Sequence, residues 1–305
     1  MKILVATEKP FSAKAVKEIR AKIEDAGHEF AIIEKYTSPE QLREAAADAD
    51  ALIVRSDIVD EALFAAAPKL KIVVRAGAGY DNIDLKAATA AGVIVENTPG
   101  QNSRAVAELV IGMAIMAARN KFSGTTGFEI SGKRLGLQAF GQVSRHVAEI
   151  AKGFGMTVTA IDPYCPVEVM AQNGVGVAES LDDLYGGNDI VSIHIPATPE
   201  TVGSIGRALI EKMPKGAVLI NTARKEVINE AELTQVLEER PDLKYFADVK
   251  PACAADLEAR FPDRVFFTPK KSGAQTAEAN LNAGVAAANQ IVAYFADGTD
   301  RFRVN

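Results

Sequence analysis

Residues 137–147, LQAFGQVSRHV, place Ala139, Gly141 and Ser144 at the spacing of a phosphate-gripping turn. An apolar strand that enters a helix through G-x-G-x-x-G gives each glycine a separate task. The first makes a tight turn, the second lets backbone approach a pyrophosphate, and the third lets helix and strand pack closely. Gly141 keeps the position nearest the ligand. Ala139 can make that turn if its φ stays negative. Ser144 puts a hydroxyl where helix and strand meet. The helix that opens at Gln142 and Val143 offers N–H groups and its positive dipole end to a phosphate. About 20 residues on, Asp162 follows the run TVTAI. A carboxylate there bonds a ribose 2′-hydroxyl and repels a 2′-phosphate. Loop, strand and acid together point to NAD rather than NADP.

A second set of residues is cationic. Lys9, Arg55, Arg75 and Arg224 each follow a short apolar run: KILVAT, ALIV, KIVV and AVLIN. Ligands of parallel sheets bind beyond the carboxyl ends of the strands. Several cations at such ends fit an acidic, phosphorylated small molecule. A guanidinium grips a carboxylate bidentately and stays protonated, which suits Arg224. The stretch RAGAGYDN adds backbone N–H groups around Ala76 and Gly77 that can hold a second anion. Lys270 and Lys271, in TPKKSGAQT, are candidate proton carriers. A lysine beside an arginine and partly desolvated titrates below its ordinary value of about 10.4.

The elements that must position these residues are short β-rich runs alternating with helical stretches. KILVAT, EFAIIE, ALIVRS, KIVVRAG and VIVENT read as strands, and SAKAVKEIRAKIEDAG reads as a helix capped by Ser12. Residues 98–122 read as one long apolar helix. A second series follows: RLGLQAF, TVTAID, DIVSIHIP, AVLINTA, YFADV and VFFT as strands, and residues 276–298 as another apolar helix. Alternation of this kind implies α/β architecture: two doubly wound parallel-sheet domains with helices on both faces.

The chain has 305 residues and a net charge of −6, which disfavours general nucleic-acid binding. No apolar run has membrane length, and the first strand is too short for a signal peptide. Cys165 and Cys253 are far apart, giving neither a disulfide framework nor a metal site and fitting a reducing cytoplasm.

The stretches RAGAGYDNID (75–84), NTPGQNSRAVAEL (97–109), SIHIPATPET (192–201), INTARKEVINEAEL (220–233), ADV (247–249) and TPKKSGAQT (268–276) span nearly the whole chain. In them the sequence resembles the D-2-hydroxyacid dehydrogenases, and among these the phosphoglycerate dehydrogenases. The resemblance implies a flavodoxin-like substrate domain of residues 1–99 plus 281–305 and a Rossmann-type NAD domain of residues 100–280. It implies a homodimer with segment 99–121 as the crossing and dimer-forming element. It puts His194, Ile195, Pro196, Thr198, Thr222, Ala223, Asp248 and Gly273 beside the cofactor, with Asp248 on the nicotinamide carboxamide. Arg224 matches the catalytic arginine. Arg55 resembles a phosphate-binding arginine, with Lys9, Arg75, Ala76, Gly77 and Asn102 completing the substrate side.

One departure stands out. The family's TPH-x-GA histidine and its glutamate partner are both absent. Counting back from Gly273–Ala274 puts Lys271 at the histidine position, with Lys270 inserted before it. An ammonium is already cationic and needs no carboxylate to stabilise it, so the joint loss is coherent. The competing readings are a dehydrogenase for glycerate, glyoxylate or lactate, and a non-catalytic dinucleotide-sensing dimer.

Overall fold

The computed structural model describes residues 1–305. The chain forms two compact units, residues 1–102 with 275–305 and residues 103–274. In the first, strands β1 (Lys2–Thr7), β2 (Glu29–Glu34), β3 (Ala51–Val54), β4 (Ile72–Arg75) and β5 (Ile94–Asn97) alternate with helices α1 (Ala13–Asp25), α2 (Pro39–Ala46), α3 (Glu61–Ala66) and α4 (Leu85–Ala90). The sheet is wholly parallel, in order β2-β1-β3-β4-β5.

The second unit opens with α5 (Ser103–Ala118) and continues β6 (Arg134–Gln138), α6 (Gln142–Gly153), β7 (Thr157–Ile161), α7 (Val167–Gln172), β8 (Gly176–Val177), α8 (Leu181–Gly187) and β9 (Ile190–Ile193). It closes with α9 (Arg207–Ile210), β10 (Val218–Asn221), α10 (Glu230–Glu239), β11 (Lys244–Ala247), α11 (Ala254–Arg260) and β12 (Val265–Phe267). Its parallel sheet runs β12-β11-β10-β9-β6-β7-β8, so the order reverses at β6 and β9. The last helix, α12 (Ala277–Asp297), belongs to the first unit. The α/β class and doubly wound parallel sheets expected from the alternation are those observed.

The strands are continuous apolar runs because both faces are covered. In the first unit Ile3, Val5, Ile53 and Val74 pack under α1 and α12, while Leu4, Leu52, Val73 and Val95 pack under the other helices. A Cβ on Gly284 of α12 would lie 2.6 Å from Ile19 of α1, so glycine sets the closeness of that helix pair. Helix α12 starts at the Thr276 cap, which accepts from the Ala279 N–H, and ends at Gly298 with φ +79°.

Two local expectations need correction. The helix expected over 98–122 is shorter at both ends. Gly100 has φ +85°, and Asn120, Lys121 and Phe122 have φ between +48° and +59°. The Lys244 ammonium donates to the Ala117 carbonyl and to Asn120 Oδ1, both at 2.6 Å, which satisfies the open carbonyl end of α5. Ala139 is the second correction: its φ is +80°, in the left-handed region, not negative. The first position of the loop therefore keeps a glycine-like backbone at some cost in strain. No helix is long and apolar enough to cross a membrane.

Candidate active site

The candidate residues of the second unit gather on one edge of its sheet, beyond the carboxyl ends of β6, β7, β9, β10, β11 and β12. Parallel pairing makes this unavoidable, since every strand points its carboxyl end the same way. At β6 the chain turns through Ala139 and Phe140 into Gly141, the N-cap of α6 with φ −76°. That cap brings no side-chain hydrogen bond, and the first turn of α6 has no acidic residue. A Cβ on Gly141 would meet nothing within 4 Å, so neither backbone angle nor packing within the chain demands glycine. Exposed helix N–H groups with open space above them are a phosphate cradle. Gln142 and Val143 begin that first turn.

Asp162 follows β7 and is held against the same loop. Its Oδ2 accepts the Phe140 N–H at 2.7 Å and its Oδ1 accepts the Tyr164 N–H at 2.8 Å. Two backbone donors thus fix the carboxylate and leave further lone pairs outward. Ser144 is fully buried and its Oγ has no hydrogen-bond partner. The third motif position is therefore filled at the cost of an unsatisfied hydroxyl.

After β9, the His194 N–H donates to the Gln138 carbonyl at 3.0 Å, extending the pairing with β6. The imidazole Nε2 lies 2.9 Å from Ser192 Oγ. Burial pushes His194 down to about 4, so the ring is neutral at pH 7. Ile195 is half-buried and Pro196 exposed, and Thr198 closes a turn by donating its N–H to Thr201 Oγ1 at 2.7 Å.

After β10, Asn221 organises the next three residues. Its Oδ1 accepts from the Ala223 N–H and its Nδ2 donates to the Arg224 carbonyl, each at 2.9 Å. Thr222 is buried with an Oγ1 that has no partner in the chain. The half-buried Arg224 guanidinium donates to the Ala223 carbonyl at 3.0 Å.

Asp248, after β11, is 1 % exposed. Its carboxylate accepts from Thr268 Oγ1, the Ser272 N–H and the Gly273 N–H at 2.9, 2.6 and 2.8 Å. Lys270 and Lys271 are exposed on the loop these bonds enclose.

In the first unit, Lys9, Arg55, Ala76 and Gly77 lie beyond the carboxyl ends of β1, β3 and β4, and Arg75 is the last residue of β4. Arg55 is tied to its neighbours. Its Nη1 donates to the Lys9 and Pro10 carbonyls at 2.8 and 3.3 Å, its Nη2 donates to Asn280 Oδ1 at 2.5 Å, and its guanidinium lies over the Phe11 ring. The half-buried Arg75 guanidinium lies where a side chain on Gly77 would be, and Gly77 has φ +151°. Asn102 is half-buried just before α5.

Sequence reasoning missed the residues that hold this apparatus: Asn221, Thr268, Ser192, Asn280 and above all Asp57. Buried Asp57 accepts from the Glu8 N–H at 2.8 Å, the Tyr36 hydroxyl at 2.5 Å and the Arg55 N–H at 3.0 Å. A polar residue just past a strand end is the only signal it leaves in the sequence.

Comparison with known proteins then decides the family. The family model described as "D-isomer specific 2-hydroxyacid dehydrogenase, catalytic domain" matches residues 3–305. The chain belongs to this family. Among solved structures it is similar to NAD+-bound 3-phosphoglycerate dehydrogenase of Entamoeba histolytica, at 46% identity and a TM-score of 0.91, covering 100% of this chain and 98% of that one. It is 38% identical over 270 residues to D-3-phosphoglycerate dehydrogenase of Methanocaldococcus jannaschii, covering 83% of this chain and 51% of the relative. It is 33% identical over 275 residues to hydroxypyruvate reductase of Thermotoga maritima, covering 84% and 88%. The chain spans about half the length of the phosphoglycerate dehydrogenase of M. jannaschii. Members of this family are oxidoreductases acting on 2-hydroxy acids, and the two parallel sheets are those of its two-domain fold.

Proposed function

We propose that the chain is an NAD-dependent D-3-phosphoglycerate dehydrogenase that interconverts 3-phosphoglycerate and 3-phosphohydroxypyruvate. It would act as a cytoplasmic homodimer at the start of serine synthesis. The observation that carries the reading is the 46% identity, across the whole chain, to a 3-phosphoglycerate dehydrogenase with NAD+ bound.

The residues present fit the cofactor. The uncapped α6 terminus with open space at Gly141 suits the pyrophosphate, Asp162 suits an unphosphorylated ribose, and the unsatisfied Thr222 hydroxyl awaits an outside partner. Gln142 and Val143 offer first-turn amides. His194, Ile195, Pro196, Thr198, Ala223 and Gly273 line the same sheet edge, and Asp248 would meet the carboxamide through its remaining acceptor capacity. A bound nicotinamide would supply the hydride acceptor and donor for C2 of the substrate.

The chain's own groups do the rest. Arg224 fixes the substrate carboxylate. Lys271 Nζ takes the proton of the C2 hydroxyl in oxidation and returns it to the C2 oxygen in reduction. The neutral His194 does not compete for that proton. Arg55 and Lys9 would bind the phosphate, with Arg75, Ala76, Gly77 and Asn102 holding the remainder of the acid.

Purified protein given NADH and 3-phosphohydroxypyruvate should consume NADH, followed by absorbance. Arg55→Ala should raise KM for this substrate more than for hydroxypyruvate. An equal effect on both would end the phosphate role of Arg55. A second reading, reduction of an unphosphorylated 2-oxo acid, draws support from the three bonds Arg55 already makes within the chain. It predicts faster turnover of hydroxypyruvate than of its phosphate ester.

A further inference from the structure

We propose that Asp248 and Thr268 act as a positioning pair, clamping the loop that carries Lys270 and Lys271 from both ends. The proposal rests on Lys271 being the proton carrier and adds what holds it.

An ionised carboxylate has about four acceptor sites. The Thr268 hydroxyl and the Ser272 and Gly273 N–H groups donate to that of Asp248, and all three come from residues 268–273. Thr268 pins the loop where it leaves β12. Its hydroxyl lies 2.6 Å from the Asp248 carbonyl and 2.9 Å from Oδ1, sharing one proton, and its N–H donates to Ala247. The consecutive N–H groups of Ser272 and Gly273 pin the other end. Ser272 Oγ closes the turn by donating to the Lys270 carbonyl at 2.7 Å. A Cβ on Gly273 would stand 3.0 Å from Asp248 Oδ2 and 3.3 Å from Val106, so this approach favours glycine.

The need for such a clamp follows from the side chain it serves. An imidazole held by a carboxylate has few torsions and a partner to orient it. A lysine has four torsions and a strongly hydrated end. Its reach toward a reacting oxygen is set by where its Cα is fixed, and small misplacement is costly in rate. A buried carboxylate bonded to backbone N–H groups is a stiff anchor, because those bonds are charge-assisted and shielded from water. In this arrangement the acid holds the backbone on either side of the proton carrier.

The test uses Thr268→Val and Thr268→Ser in the full chain. Thr268→Val should lower kcat about tenfold, with KM for NADH unchanged, and Thr268→Ser should restore it. Hydrogen exchange on the wild-type protein should show the Ser272 and Gly273 amides strongly protected, although the preceding lysines are exposed. In Thr268→Val that protection should fall. Unchanged kcat in a folded Thr268→Val protein, or a rise in KM for NADH without loss of kcat, would overturn the proposal. So would unprotected amides at 272 and 273 in the wild type, a measurement that stands even if the valine variant does not fold. Full turnover in Lys271→Met would instead overturn the Lys271 reading, and amide protection, read without turnover, separates that failure from a missing clamp.

Discussion

The two units begin alike and treat their first turn in opposite ways. In the first, β1 runs into α1 through residues 8–12. Most of the backbone of that turn is committed to the chain itself. Ser12 Oγ caps α1 by accepting from the Ala15 N–H, Asp57 takes the Glu8 N–H, Arg55 takes the Lys9 and Pro10 carbonyls, and Glu34 takes the Phe11 N–H. In the second, β6 runs into α6 through residues 139–141, and the cap is Gly141 with no side chain to bond. One βα turn uses its polar groups internally; the other leaves helix N–H groups to an outside anion. The lesson is that the fold supplies the dipole and the direction, while the N-cap residue decides whether a ligand can use them. The units agree in one respect. Asp57 and Asp248 are both buried carboxylates just past strand ends; Asp57 ties Glu8, Tyr36 and Arg55 together, and Asp248 gathers the loop 268–273.

The contrast is sharpened most by Lys271→Met. If the open edge of the second unit is catalytic, turnover should fall by about 10²–10⁴-fold, the usual worth of a positioned acid–base group. Cofactor affinity should be retained, as read by NADH titration. Turnover near wild type would remove the catalytic half of the comparison.

Gly141→Asp addresses the cap itself. The backbone there has φ −76°, and aspartate is a favoured N-cap, so the fold should hold or gain slightly. The new carboxylate would occupy the helix N–H groups and repel a pyrophosphate. NADH affinity should fall about 100-fold, the worth of a lost charge-assisted interaction. Undiminished affinity would mean that the open terminus is not where the cofactor's phosphates sit.

Acid should act through the second unit as well. His194 is held near 4 in the folded protein against about 6.5 unfolded. Below pH 6.5 the unfolded chain binds the extra proton and the folded one does not. Stability from the neutral ring is therefore full above pH 6.5 and is lost as pH falls toward 4, on the order of 2–3 kcal/mol in all. Urea midpoints between pH 7 and 4 should drop less steeply for His194→Gln than for wild type. Parallel slopes would contradict the half-buried, neutral histidine.

Ser12→Ala gives the smallest effect. Loss of the α1 cap should cost about 1 kcal/mol in urea unfolding and leave NADH affinity unchanged. A change in NADH affinity would mean that the first turn of unit one is not the closed counterpart described above.

Much of this was present in the order of residues. Apolar β-rich runs alternating with helical stretches located β1 to β5 and the main strands of the second unit, because period and branching respond to local sterics. Ser12 as a cap, and Gly141 with Asp162 as a loop and acid pair, were equally local: a motif's spacing is set by the strand–turn–helix that carries it. The resemblance to the family also needed only the sequence, and so did the proposal that Lys271 stands at its histidine position.

Tertiary structure decided the rest. The left-handed Ala139 is imposed by the turn into α6, against the residue's own preference. The end of α5 depends on Lys244, 127 positions away in the chain from the carbonyl it satisfies. Arg55 read as an open cation, yet its guanidinium bonds Asn280, 225 positions distant. Asp57, Asn221 and Thr268 looked like ordinary polar residues because their partners are chosen by which strand ends the parallel sheets bring together. A side chain's type and local period are written where it stands; what a buried carboxylate or guanidinium bonds to is a property of its neighbours in space.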